Sequence, residues 1–182
     1  MNGILVVSAT RAEAAHVPDR YETVITGIGK VDAAVAVTAA LAAYPAGARP
    51  LVVNIGTAGA LHDHHAGLYL PSTALNHDIS SDVLKSLGHP VEDVLDIEDG
   101  DGSVLATGDA FVSDAEVRDA LAARADLVDM EGFAVAYAAR RMGARCRLVK
   151  HVSDHADESA MDWPALVDHS ARELAAWLVE RY

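Results

Sequence analysis

Strand-like apolar runs alternating with helical segments constrain this chain more than any single motif does. "GILVVSA" and "ETVITG" read as two strands, and "KVDAAVAVTAALAAY" follows as a helix with valine and alanine on more than one face. "RPLVVNIG" is a near-continuous apolar strand running into a glycine turn, "GTAGA". "LYLPSTALNHD" reads as strand and loop, "SVLATGDAFVS" as a short strand passing into a loop, and "DAEVRDALAARA" as a helix. A helix over 130–142 carries Phe133, Ala134, Tyr137 and Ala138 at the spacing of a buried face. "CRLVKHVSD" is the last strand. In the last helix, "DWPALVDHSARELAAWLVERY", Asp162 suits a cap, Pro164 the first turn, and Leu166, Val167, Leu174, Trp177 and Leu178 an apolar stripe. This order predicts a single three-layer α/β/α domain over residues 1–182 around a central, largely parallel or mixed sheet. With 51% of its residues hydrophobic, the chain can fill the one core that such a domain requires. The polar stretch "GHPVEDVLDIEDGDG" is expected as an excursion from it.

A formal charge of -13 disfavours a nucleic-acid backbone or an anionic membrane as partner, since either would repel such a surface. Arg140, Arg141, Arg145, Arg147 and Lys150 are interrupted by a turn and a strand, and read mostly as a solvated rim. The single cysteine, Cys146, cannot form an internal disulfide and reads as a small core or near-core side chain. The opening residues lack the basic segment and long apolar run of a secretion signal, and the apolar stretches elsewhere are too short or too glycine-broken to span a bilayer. A cytoplasmic protein is the expectation. His62, His64 and His65 in "HDHH" invite a metal, but adjacent loop histidines rarely converge on one ion, so they read as surface or interface residues. No metal and no cofactor is expected.

Ligands of open α/β sheets gather beyond the carboxyl ends of the strands. Four segments here, "SATRAEA", "GTAGA", "GDAF" and "SDHADE", follow apolar runs, and two of them carry Glu13 and Asp154. Glu131 opens the helix just before the last strand, where a carboxylate can simply favour the helix N-terminus or can hold a ligand. Spacing alone leaves two readings open: three acids in one pocket, or three separately solvated charges. "GIGKVD" has Asp32 where a dinucleotide motif has its third glycine, so Gly27 and Gly29 read as a tight strand-to-helix turn. "GTAGA" lacks the Gly-Lys-Ser/Thr of a phosphate loop.

Taken in order, "SATRAEAA", "TGIGKVDAA", "VVNIGTAGAL", "NHD", "TGDAFV", "VDMEGFAVAYAA" and "VKHVSDHADE" resemble the nucleoside phosphorylase/nucleosidase family, nearest to its 5′-methylthioadenosine/S-adenosylhomocysteine nucleosidases. The resemblance implies cleavage of a purine N-glycosidic bond. It gives Glu13 the role of activating water, Glu131 that of binding the ribose hydroxyls, and Asp154 that of protonating the purine at N7. It places Met130 against the sugar beside Asp129, Phe111 in stacking on the base, Val112 in backbone recognition of it, and Thr57, Ala58 and Gly59 around the ligand. Lys150 stands where relatives often have an arginine supporting the purine-directed acid. Trp163 suits either the 5′-substituent end of the pocket or a core or helix-start position.

The sequence also departs from the family. The first acidic loop keeps only Glu13 after Thr10, Arg11 and Ala12, the middle of the chain is short, and His155 replaces the common asparagine. Hydrolysis is expected rather than phosphorolysis, because no early glycine-proline phosphate loop is present and "VNI" precedes the glycine turn. A purine nucleoside phosphorylase and a non-catalytic nucleoside-binding protein are the alternatives. The resemblance also implies a homodimer, in keeping with the commonness of twofold pairing.

Overall fold

The computed structural model describes residues 3–157 and 163–182. β1 (Ile4–Ser8) and β2 (Glu22–Ile25) lie parallel, and α1 (Lys30–Ala42) follows the second. β3 (Leu51–Ala60) is the longest strand, because its apolar run continues through the "GTAGA" segment. The expected turn is therefore strand: Gly56–Gly59 pair with β9 (Cys146–Asp154) and Ala60 with Leu127, pairings that supply backbone partners a turn would lack. β4 (Leu68–Tyr69), β5 (Thr73–Asn76), the short α2 (Ser81–Ser86), β6 (Val94–Asp96), β7 (Val104–Thr107), α3 (Ala115–Ala122), β8 (Leu127–Asp129) and α4 (Gly132–Arg141) precede β9, and α5 (Trp163–Arg181) ends the order.

Among the described residues the strands form one mixed sheet, ordered β2-β1-β3-β8-β7-β5-β6, with β9 pairing β3 and β4. α1 and α4 pack on one face through Val37, Leu41, Val135 and Ala139. Leu174 and Leu178 of α5 cover Val6, Val53, Ile55 and Val149 on other strand positions, giving the expected three layers. α4 is buried on nearly every side, and its alanines let it lie close to the sheet.

Several elements differ from what the local pattern predicts. The polar excursion contains β6, whose Leu95 is buried because β6 pairs antiparallel with β5. Arg147 is buried rather than on a rim, held by Asp99 at 2.5 Å and by the Tyr182 hydroxyl at 2.7 Å. Leu166 is exposed and Tyr137 only half-buried, so the apolar faces of α5 and α4 are narrower than their periodicity suggests. Cys146 is shielded, and burial pushes its thiol up to about 12. Asp162 lies outside the described residues.

Candidate active site

The site begins where β1 stops. β3 pairs with β1 only as far as Asn54, and its antiparallel contact with β8 starts at Gly59. Between them Thr57 has a backbone N–H facing no strand on that side, and Glu13 Oε1 accepts it at 2.8 Å. The Thr57 hydroxyl donates to the same oxygen, also at 2.8 Å. Glu13 Oε2 accepts the Thr10 amide at 3.1 Å and the Thr10 hydroxyl at 2.9 Å, while the Glu13 amide donates back to Thr10 Oγ1. "TRAE" thus forms a reciprocal capping box in the turn after β1. Glu13 is only 4% exposed, and the four acceptor positions of its carboxylate are filled.

Glu131 reaches the site by a different route. It occupies the N-cap position of α4 yet makes no side-chain capping bond. Asp129 does that work instead, accepting the Gly132 amide at 2.8 Å. Glu131 Oε1 accepts the amide of Gly29, 102 residues away, at 2.8 Å. Gly29 has φ 98°, a conformation that suits glycine and aims this N–H inward. Burial, then the neighbouring Asp129 charge, raises the Glu131 carboxyl from 4.5 to about 7 against the pull of Lys150 and the Gly29 amide.

Lys150 is corrected most sharply. The resemblance implies support of Asp154, but Lys150 stands four residues earlier on β9, roughly 13 Å along an extended strand. Its ammonium, 2% exposed, instead pairs with Asp129 Oδ2 at 2.9 Å. A β-carbon at Gly56 would lie 3.2 Å from both Lys150 Nζ and Glu13 Oε1, so cation and carboxylate face each other across that glycine. The charges of Asp129, Glu131 and Glu13 raise the Lys150 ammonium against its burial. Lys150 is a cationic floor beneath three acids. Asp129 is completed by the Thr107 hydroxyl at 2.6 Å, which itself accepts the Phe133 amide.

Asp154 comes in at a bulge. The β3–β9 register steps from Ala58↔Val152 to Gly59↔Asp154, leaving Ser153 as an extra residue that re-aims the strand end. Asp154 Oδ2 accepts the Ser153 hydroxyl at 2.7 Å and Oδ1 the Ala156 amide at 2.9 Å. A β-carbon on Gly59 would lie 3.0 Å from Asp154 Oδ1 and 2.9 Å from Ala156 Cβ, so this approach requires glycine.

These pieces surround one cavity of about 150 Å³. Glu13, Glu131 and Asp154 all line it, as do Thr57, Ala58, Gly59, Phe111, Val112, Asp129 and Met130. Of the residues singled out from sequence, only Lys150 stands behind the wall. Phe111 is 53% exposed at the rim, beside Ile28. Thr10, Ser153 and the amide of Gly29 escaped the sequence reading; the Thr-x-x-Glu spacing was a usable signal for the first, and nothing local marks the other two.

The sequence pattern of the Phosphorylase superfamily matches residues 101–182. An aminodeoxyfutalosine nucleosidase of Helicobacter pylori strain 26695 is 34% identical over 119 residues, 64% of this chain and 50% of that protein. The chain therefore spans about half the length of the curated relatives it matches. Among solved structures, a Helicobacter pylori methylthioadenosine/S-adenosylhomocysteine nucleosidase variant holding 5′-methylthioadenosine superposes with a TM-score of 0.84 over 99% of this chain and 97% of that one, at 22% identity. A Streptococcus pneumoniae MTA/SAH nucleosidase with 8-aminoadenine gives 0.80 over 97% and 96%, at 21% identity. The fold is that of the phosphorylase superfamily. The superfamily match covers α3, α4, β9 and α5, hence Glu131 and Asp154, while Glu13 lies outside it.

Proposed function

We propose that the chain hydrolyses the N-glycosidic bond of a purine nucleoside, releasing adenine from 5′-methylthioadenosine or S-adenosylhomocysteine. The observation that carries this reading is the convergence of Glu13, Glu131 and Asp154, from three separate parts of the chain, on one cavity whose other walls are largely apolar. Apolar rims beside few convergent polar groups suit a flat base and a sugar. Glu13 takes a proton from water as the water oxygen bonds to C1′. Glu131, when ionised, accepts ribose hydroxyls and stabilises positive charge growing on the ring. Asp154 delivers a proton to N7 as the C1′–N9 bond breaks and its electron pair leaves with the base. The attacking water must displace one of the four donors around Glu13, and the Thr10 amide makes the longest of those contacts.

Water is favoured over phosphate because no Lys or Arg among the described residues lines the cavity, and Lys150 is committed to Asp129. A phosphate dianion beside Glu13 and Glu131 would lack matched cations. The relatives named as aminodeoxyfutalosine nucleosidases, at 34% and 32% identity, favour aminodeoxyfutalosine as the second reading of the 5′-substituent. A homodimer belongs to the same proposal: Val31 and Val35 are exposed one turn apart on α1, next to the exposed Ile28 that precedes it. We also place the protein in the cytoplasm, a setting supported by its single, free cysteine; no helix among the described residues is long and apolar enough to cross a membrane.

Incubation with 5′-methylthioadenosine, S-adenosylhomocysteine, aminodeoxyfutalosine, adenosine and inosine, with and without phosphate, tests the reading by chromatography of base and sugar. Free sugar should form in phosphate-free buffer. Obligatory formation of ribose 1-phosphate derivatives would establish phosphorolysis, and binding without turnover would leave a nucleoside-binding protein. Light scattering tests the dimer: a monomeric, fully active protein across the micromolar range would remove it.

A further inference from the structure

We infer that Trp163 is a positioning residue for Glu13, acting through the hydroxyl of Thr57; the inference rests on the hydrolytic role proposed for Glu13. Trp163 opens α5 and lines the cavity, and its indole Nε1–H donates to Thr57 Oγ1 at 2.8 Å. An indole nitrogen can only donate, and a threonine hydroxyl has a single proton. With Oγ1 receiving the indole proton, the hydroxyl proton is directed to Glu13 Oε1, 2.8 Å away. Thr10 repeats this logic on the other oxygen, receiving the Glu13 amide and donating to Oε2. Both hydroxyls around Glu13 thus point their protons at the carboxylate, one set by the local turn and the other by an indole 106 residues further along from Thr57. Phenylalanine at position 163 would keep the apolar wall but lose this direction. The Thr57 proton is then free to turn away from Glu13, leaving Oε1 held by the Thr57 amide alone and less firmly aligned with an attacking water.

A double-mutant cycle on the full chain separates this relay from a packing role. With 5′-methylthioadenosine, Trp163→Phe should lower kcat by about 10-fold, as expected for one misdirected hydrogen bond, and change KM far less. The loss should persist in a Thr57→Ser background, which keeps the hydroxyl, and disappear in a Thr57→Val background. An equal loss in all three backgrounds would overturn the relay and leave Trp163 as wall only. An independent readout needs no turnover. The chain has two tryptophans, so Trp177→Phe leaves one indole N–H resonance, that of Trp163. This resonance should shift on Thr57→Val and also on Glu13→Gln. Indifference to both changes would overturn the inference even in an active enzyme. If no nucleoside is cleaved, the hydrolase reading fails while the resonance still decides the relay.

Discussion

Glu13 and Glu131 are the same residue type, lie in the same cavity wall and are almost equally shielded, at 4% and 8% exposure. Their surroundings are nevertheless opposite. Glu13 receives four donors, two from Thr10 and two from Thr57. Glu131 accepts the Gly29 amide and lies beside Asp129, and its carboxyl is raised to about 7. Burial is common to both; what distinguishes their surroundings is the number of donors facing each carboxylate.

The largest expected effect breaks the Glu13 side. Glu13→Gln turns an amide NH₂ toward donors on at least one edge and removes the proposed base, so kcat should fall by on the order of 10³-fold while adenine binding is largely retained. Steady-state hydrolysis together with adenine titration checks this; retention of more than about a tenth of kcat would dissolve the contrast. Next, Lys150→Met removes the cation facing both sides and leaves Asp129 buried without its partner. A loss of roughly 3 kcal/mol of unfolding free energy is expected from urea melts, and a loss too small to measure would show that the hydroxyl and amides around Asp129 suffice.

The third test sharpens the Glu131 side through pH. Its folded carboxyl, at about 7, binds a proton more tightly than the unfolded group at 4.5, so the native state holds more protons in that window. The stability this contributes is fully present below about pH 4.5 and is lost as pH rises through 7, on the order of a few kcal/mol. Wild type should therefore lose stability relative to Glu131→Gln between those limits and run parallel above them. On the proposed role of Glu131 in holding the ribose, kcat/KM should rise in the same window as the carboxylate ionises, a limb that Glu131→Gln lacks. Parallel pH–stability curves from pH 4 to 8 would refute the raised carboxyl. The smallest effect is Thr10→Val, which removes one of the four Glu13 donors and keeps the Thr10 amide; about 1 kcal/mol in stability and less than 10-fold in kcat are expected.

The contrast also marks how far sequence reached. The strand–helix alternation anticipated β1, β2, α1, β7, α3 and β9 closely, because strand and helix periodicities are local. β8 and β6 were not legible, being three-residue strands whose identity comes from pairing with β7 and β5. "GTAGA" has the local pattern of a turn because glycine and alanine weaken strand propensity, and pairing with β9 overrides that preference. The residues that line the cavity are legible as a set through ordered motifs, though their chemical roles are a proposal. Lys150 failed because motif order does not reveal which acid a strand residue can reach.

The sequence by itself determined the layers, the positions of the three acids along the chain, and the Thr10–Glu13 capping box, since each depends on neighbours within a few residues. The tertiary structure alone decided that β1 ends short of Thr57, that a bulge at Ser153 aims Asp154, that the Gly29 amide reaches Glu131, and that Lys150 pairs with Asp129. Those four facts bring together residues up to about a hundred positions apart. Charge and hydrogen bonding act over a few ångströms of space, and which groups come within that range is fixed only when the sheet has closed.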